Sequence, residues 1–291
     1  MTTPTIKLNS GYEMPVLGIG CYILTPEEAE NSVYHALKDG YRLIDTANVY
    51  MNERGVGRGM KRAIDEGICT REEIFLTTKL WPSEYEDVES AIEDALARLN
   101  TEYIDLLLLH QSVGNYIAGY QGMEKAVEAG TVKSIGLSNF YQVKFQKVLD
   151  IARIKPAVLQ NETHPFWQGN DMKEFMKPTG TILEAWFPLG GRENTSDIFG
   201  DATIQEIAKA HGKTPAQTVL RWHYQAGNIA IPGSADENEI AENIEIFDFE
   251  LSSDELTKIA ELDGKMRFFT MSEEQQESQF TAWAPDFNNQ K

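Results

Sequence analysis

The chain predicts an α/β fold of the (β/α)8, or TIM, barrel type, and three observations carry that expectation. Eight short apolar, β-capable runs alternate with amphipathic helical stretches along most of the 291 residues. With 42% hydrophobic residues the chain can bury a core too large for a small module, and no linker divides it. Reactive side chains stand at the ends of successive strand-like runs, which is where a barrel gathers its functional groups. An open doubly wound sheet is the alternative for such an alternation, and it would place those groups differently.

Taken in order, residues 5–8 and 13–17 flank Asn9-Ser10-Gly11 and predict an N-terminal β-hairpin. The barrel strands are expected at 17–20, 42–45, 74–78, 105–109, 133–137, 158–160, 181–186 and 229–231. Thr25-Pro26-Glu27-Glu28 combines a capping threonine, a proline at the first helical position and a glutamate three residues on, so a helix opens there and ends near Gly40. Further helices are expected near 54–66, 84–98, 116–129, 141–151, 171–177, 215–226 and 238–244. Residues 188–200 read as a Gly-rich loop after the seventh strand, and 253–262 as an additional helix. The closing polar stretch, interrupted by Phe280, Trp283 and Phe287, reads as a tail that docks only in part. One domain is expected over 1–291, with the barrel at about 17–245 and the C-terminal helix and tail at 251–291.

A formal charge of -19, from 26 basic and 45 acidic residues, argues against nucleic acid or an anionic membrane as partner, because both require a basic face. No apolar run approaches the roughly 18 residues needed to cross a bilayer. The N-terminus lacks the basic and apolar blocks of a secretion signal, and Cys21 and Cys69 are the only cysteines. A cytoplasmic protein without disulfides is expected. The five histidines show no pair at metal-ligand spacing, so no metal is expected.

LIDTANVY, residues 43–50, places Asp45 at the end of the second strand and Tyr50 in the turn beyond it. Lys79 closes the third strand and His110 the fourth. Each residue alone has a plain structural explanation as cap, snorkelling chain or packing ring. Together they form a proton-donating set: Lys79 would lower the pKa of the Tyr50 phenol, Asp45 would hold Lys79 charged, and His110 would offer a second hydrogen bond to a carbonyl oxygen. Carbonyl reduction, or the reverse alcohol oxidation, suits such a set once a hydride source is present.

These stretches resemble the aldo-keto reductase family, in particular its bacterial aldehyde, ketone or diketogluconate reductase-like members. The resemblance runs from the first hairpin to about Leu262. It is carried by 43–50 with Asn52-Glu-Arg-Gly-Val-Gly57, by Thr77-Thr-Lys79-Leu-Trp81, by Asp105 to His110, by Gly136-Leu-Ser-Asn-Phe140 and by Pro232 to Asn243. It implies an NAD(P)H-dependent, monomeric reductase of small carbonyl compounds, with Tyr50 as general acid and Asp45, Lys79 and His110 as its partners. It further implies that Ser138, Asn139 and Gln160 hold the nicotinamide carboxamide, that Trp186 stacks on its ring, and that Leu189, Ser234, Glu242 and Asn243 bind the rest of the dinucleotide. Tyr22, Trp81, His110 and Gln111 would face the substrate, with Phe166 and Trp283 as further apolar walls. A dinucleotide-binding barrel without turnover is the competing expectation.

Two departures from the family pattern stand out. Members that prefer NADPH carry a lysine after Ile-Pro and an arginine six residues on; here Gly233 and Glu239 stand in those places, and Asp236 adds a carboxylate. A 2'-phosphate beside such acids would be repelled by about 1 to 4 kcal/mol per charge pair at contact distance, so NADH is the expected reductant. Acids at a helix start are the plain alternative, and Arg192 is a candidate compensating cation. In the second departure Gln111-Ser112 replaces the family's Trp-Pro after the histidine, and a more polar or roomier substrate pocket is expected.

Overall fold

The computed structural model describes residues 3–291. An antiparallel hairpin, β1 (Thr5–Lys7) and β2 (Glu13–Pro15), comes first, with Gly11 in the turn at φ +93°. Then follow β3 (Ile19–Gly20), α1 (Pro26–Asp39), β4 (Leu43–Asp45), α2 (Glu53–Asp65), β5 (Phe75–Leu80), α3 (Val88–Leu99) and β6 (Ile104–Leu109). The second half runs α4 (Tyr116–Ala129), β7 (Val132–Ser138), α5 (Gln142–Leu149), β8 (Val158–Glu162), α6 (Asn170–Met176) and β9 (Ile182–Trp186). Beyond it lie α7 (Gly191–Phe199), α8 (Ala202–His211), α9 (Pro215–Gln225), β10 (Ile229–Ala230), α10 (Glu237–Ile244), α11 (Ser253–Ala260) and α12 (Glu273–Ala282).

β3 to β10 pair in chain order, all in parallel. The circle closes where Leu17 bridges Ala230, through Gly18 N–H to Ala230 O at 2.9 Å, Ala230 N–H to Val16 O at 3.0 Å and Gly20 N–H to Pro232 O at 2.9 Å. Closure leaves no open edge, and it sets every strand end on one rim. The doubly wound alternative is therefore excluded.

Side chains alternate across each strand, so one set fills the barrel and the other packs against the helices. Leu43, Phe75, Leu106, Leu108, Val158 and Ile229 form the interior cluster, floored by Leu8 and Met14 of the hairpin. Outward residues such as Ile44, Leu76, Leu107, Leu137 and Leu159 meet the helical ring. α1 begins as the sequence requires: Thr25 accepts from Glu28 N–H, Glu28 returns a bond to Thr25 N–H, and Gly40 closes the helix at φ +104°.

Three segments differ from expectation. The span read as a Gly-rich loop contains α7, and α8 follows it before α9, so three helices separate β9 from β10. Asp201 caps α8 through Thr203 N–H and Ile204 N–H, and Gly212 ends it in the left-handed region. The polar tail contains α12, opened by a Ser272 and Gln275 capping box. Among the described residues no helix is long and apolar enough to cross a membrane.

Candidate active site

The inward alternation on the strands places polar residues where the interior cluster ends. Asp45 is the last residue of β4 and Lys79 lies near the end of β5, both buried. Their side chains meet as an ion pair of 2.6 Å although 34 residues separate them. The Lys79 ammonium also donates to Thr46 O at 2.9 Å and to the Tyr50 hydroxyl at 3.3 Å. Tyr50 ends a short 3-10 turn, Asn48–Tyr50, and Met51 after it takes φ +57°. The His110 ring stands edge-on to Tyr50, with centroids 5.6 Å apart. All four sequence-predicted residues thus meet at one mouth.

Electrostatics corrects one expectation. Burial first, and then the charge of Asp45, push the Tyr50 phenol well above its ordinary value; Tyr22, Cys21 and Glu184 add to this. The ring is only partly enclosed, since one side opens on the cavity, so solvent moderates the rise. Lys79 does not bring the phenol toward neutrality because Asp45, nearer to it, meets most of its charge. Tyr50 therefore keeps its proton near neutrality. Burial and the nearby Lys79 push His110 well below its usual range, so the imidazole is neutral. Its Nδ1 is buried without a partner. A buried N–H without an acceptor is costly, so the proton belongs on Nε2.

A cavity of about 1100 Å³ extends from Asp45, Tyr50 and His110 to the start of α10. Ser138, Asn139, Gln160, Trp186, Leu189, Ser234, Glu242 and Asn243 all line it, as do Tyr22, Trp81 and Gln111. Asn139 takes φ +61°, which asparagine tolerates. Its amide donates to His110 O at 3.0 Å and to Ser138 Oγ at 3.2 Å, and it accepts from Trp186 Nε1 at 3.1 Å. Gln160 Nε2 is committed to Asp45 Oδ2 at 2.7 Å and Glu184 Oε2 at 2.8 Å. Both amides are thus fixed by the protein itself, and the Gln160 carbonyl oxygen is the end left for a ligand.

Phe166 is a correction. It does not line the cavity; it packs outside the barrel with Ile198, Ile204, Val219 and Trp222. The wall comes instead from Phe187, Phe269 and Met271, which the sequence did not mark, together with Phe280 and Trp283 of the tail. Trp81 donates its indole N–H to Trp283 O at 2.8 Å and meets the Phe280 and Trp283 rings at 5.2 and 5.4 Å. Buried Glu162 anchors this segment, accepting from Phe268 N–H at 2.6 Å and Phe269 N–H at 3.2 Å and pairing with Arg267 at 3.4 Å. The paired aromatics Phe280 and Trp283 in a polar tail were the available signal.

At the far end, Asp236 caps α10 by accepting from Asn238 N–H at 2.8 Å, and Ser234 Oγ donates to Glu239 Oε2 at 2.6 Å. The backbone and side-chain N–H groups of Asn238 hold Asp236 below the usual carboxylate range. Asp236 and Glu239 both line the cavity, and exposed Arg192 contributes from the start of α7. A Cβ on Gly233 would lie 2.8 Å from Gly20 O, so this glycine also answers to the approach of two backbones where the barrel closes.

The aldo/keto reductase family model matches residues 17–264. The chain belongs to that family. It is 39% identical to the NAD(P)H-dependent D-xylose reductase I,II of Candida tropicalis over 92% of this chain and 94% of that protein. Against methylglyoxal reductase DkgA of Escherichia coli it is also 39% identical, over 92% and 96%. A solved aldo/keto reductase from Brucella melitensis superposes with a TM-score of 0.84 at 39% identity, covering 90% of this chain and all of that one. The protein is accordingly an NAD(P)H-dependent aldo-keto reductase, acting on small carbonyl compounds. The cavity suits this reductase's dinucleotide in size, in the free Gln160 oxygen and Trp186 ring at one end, and in Glu242 and Asn243 at the other.

Proposed function

We propose that this reductase protonates its carbonyl substrate from Tyr50 Oη, and that NADH is its preferred reductant. The contact that carries the first part is the chain Tyr50 Oη, Lys79 Nζ, Asp45 Oδ1, at 3.3 and 2.6 Å. A reduced nicotinamide held at this end of the cavity would supply the hydride that the carbonyl carbon takes up. As negative charge grows on the carbonyl oxygen, Tyr50 gives up its proton there, and the Lys79 ammonium next to Oη stabilises the phenolate left behind. His110, neutral and carrying its proton on Nε2, offers the same oxygen a second donor and orients it. Ser138, Asn139, Gln160 and Trp186 would hold the nicotinamide end, Leu189, Ser234, Glu242 and Asn243 the remainder. A phenol pushed up by burial does not ionise early, so the proton is retained until the substrate demands it.

The substrate end favours uncharged, apolar aldehydes and ketones. Tyr22, Trp81, Phe280 and Trp283 supply aromatic walls, Gln111 a polar one, and among the described residues no lysine or arginine lines that part of the cavity. For the reductant, Asp236 and Glu239 line the far end of the cavity, where the family resemblance implies a 2'-phosphate would sit, and Gly233 provides no cation. A ribose hydroxyl can donate to such carboxylates; a phosphate is repelled by them. We further propose that the protein acts as a cytoplasmic monomer and that residues 1–291 form one domain.

Tyr50→Phe tests the mechanism. Reduction of a broad-specificity aldehyde should collapse while dinucleotide binding persists, and unchanged turnover would refute the role of the phenol. Fluorescence titration with NADH and NADPH in parallel tests the reductant; tighter binding of NADPH would overturn the preference.

A further inference from the structure

Inside the barrel lies a carboxylate that the chemistry described above does not use. Glu184 is the middle residue of β9, in register with Gln160 on β8 and Ile229 on β10, and it is fully buried. Its Oε2 accepts one hydrogen bond, from Gln160 Nε2 at 2.8 Å, and its Oε1 has no partner. The same nitrogen donates to Asp45 Oδ2 at 2.7 Å. One amide nitrogen with two protons thus serves two acids from β4 and β9.

This arrangement allows a single orientation of the Gln160 amide. Turned over, its carbonyl oxygen would face the Asp45 carboxylate, lone pair against lone pair, and both amide protons would lose their present partners. Held as it is, Nε2 points inward and Oε1 is left for the cavity that Gln160 lines. An oxygen there accepts from an N–H group, whereas an inverted amide would offer donors.

We propose that Glu184 is a positioning residue that locks the Gln160 amide so that its Oε1 accepts from the carboxamide N–H of the nicotinamide. This rests on the reading that Gln160 belongs to the nicotinamide end of the site. Asp45 alone can accept only one of the two amide protons in that geometry, so without Glu184 the second is left unpaired and the inward orientation loses half its support. The groups facing the pair are Asp45 from β4, Lys79 from β5 and Tyr50 at the mouth. Burial, with the charge of Asp45, pushes Glu184 up to about 8. Near neutrality it therefore keeps a proton, which balances a cluster of two acids and one ammonium and leaves a carbonyl oxygen to accept from Gln160.

The test compares NADH with ADP-ribose, which carries the adenosine and both phosphates but lacks the nicotinamide. Glu184→Met keeps the volume and removes the acceptor; Glu184→Gln keeps an acceptor in place. Titrations should show Glu184→Met binding NADH about tenfold more weakly, roughly the loss of one hydrogen bond, with ADP-ribose within about twofold of wild type. Glu184→Gln should keep the wild-type ratio of the two affinities. Adding Glu184→Met to Gln160→Met should cause no further loss, because the residue acts through the amide. An unchanged ratio in Glu184→Met, or an equal loss for both ligands, overturns the proposal. If that variant does not fold, Glu184→Thr, too short to reach Gln160, is held to the same outcomes. Failure of the underlying reading looks different: wild type would bind NADH no better than ADP-ribose, and Gln160→Met would leave both affinities unchanged.

Discussion

Replacing Lys79 by methionine removes the ammonium and leaves Asp45 as a buried acid, with a cost that depends on pH in a calculable way. The two side chains are 0% and 3% exposed and 2.6 Å apart. Burial already raises the Asp45 pKa, opposed by the charge and hydrogen bond of Lys79 and by the bond from Gln160. Without the lysine, most of that opposition disappears, and the folded variant keeps Asp45 protonated at pH 7 while the unfolded chain ionises it near 3.8. A group whose folded pKa lies above its unfolded one contributes fully below the unfolded pKa and loses stability as pH rises. Each pH unit above 3.8 costs about 1.36 kcal/mol, giving a ceiling of about 4 kcal/mol at pH 7 and about 1.6 kcal/mol at pH 5. Wild type already carries part of this burden, so a loss of about 2 to 4 kcal/mol at pH 7 is expected, near the range for breaking one side of a buried pair. Urea denaturation of both proteins from pH 5 to pH 8 measures it. Equal losses at pH 5 and pH 7, or a loss under about 1 kcal/mol at pH 7, would show that Asp45 does not depend on this cation.

Three further outcomes are expected. Glu239→Arg should move the ratio of NADPH to NADH affinity upward by about tenfold or more, since it replaces a repulsion with an attraction of about 1 to 4 kcal/mol each; an unmoved ratio would remove the electrostatic basis for NADH preference. Gly233→Lys is the poorer probe, because its Cβ would meet Gly20 O at 2.8 Å. Glu162→Ala strands the Phe268 and Phe269 N–H groups and removes the carboxylate partner of Arg267, so the segment after α11 should be cut earlier in limited proteolysis and stability should fall by about 3 kcal/mol. An unaltered digestion pattern would sink that anchor. Glu184, raised from 4.5 to about 8, makes the wild type lose stability as pH climbs between those values, and Glu184→Gln should lack that decline; identical urea midpoint curves from pH 5 to pH 8 would contradict the buried-acid description.

Much of the architecture was legible because it is local. The Thr25 capping box, the stop at Gly40 and the apolar run of β6 are properties of a few adjacent residues, and the structure shows each in its expected place. α8 was equally legible, with Asp201 as cap and Gly212 as stop, but a second helix between neighbouring strands breaks the one-helix rhythm that organised the reading. α7 was hidden by its opening Gly190-Gly191, and α12 by exposed polar faces that leave no apolar stripe. Glu184 left a trace as well: an acid two residues before Trp186, inside an otherwise apolar strand, is costly unless something donates to it or neutralises it.

By itself the sequence determined most of the strand and helix alternation, the side chains proposed to react and the acidic character of the α10 start, since periodicity, capping and residue chemistry are written in neighbouring letters. Only the tertiary structure decided what those side chains meet. Barrel closure sets the ends of β4, β5, β8 and β9 on one rim, and strand alternation turns Asp45, Lys79, Gln160 and Glu184 inward together. It also laid Trp283 against Trp81 and put Phe166 outside the cavity. Burial then set the protonation states, raising Tyr50 where the sequence alone had suggested that Lys79 would lower it. The reason is physical: desolvation and cross-strand contact depend on residues dozens of positions apart, and no local pattern encodes their distance.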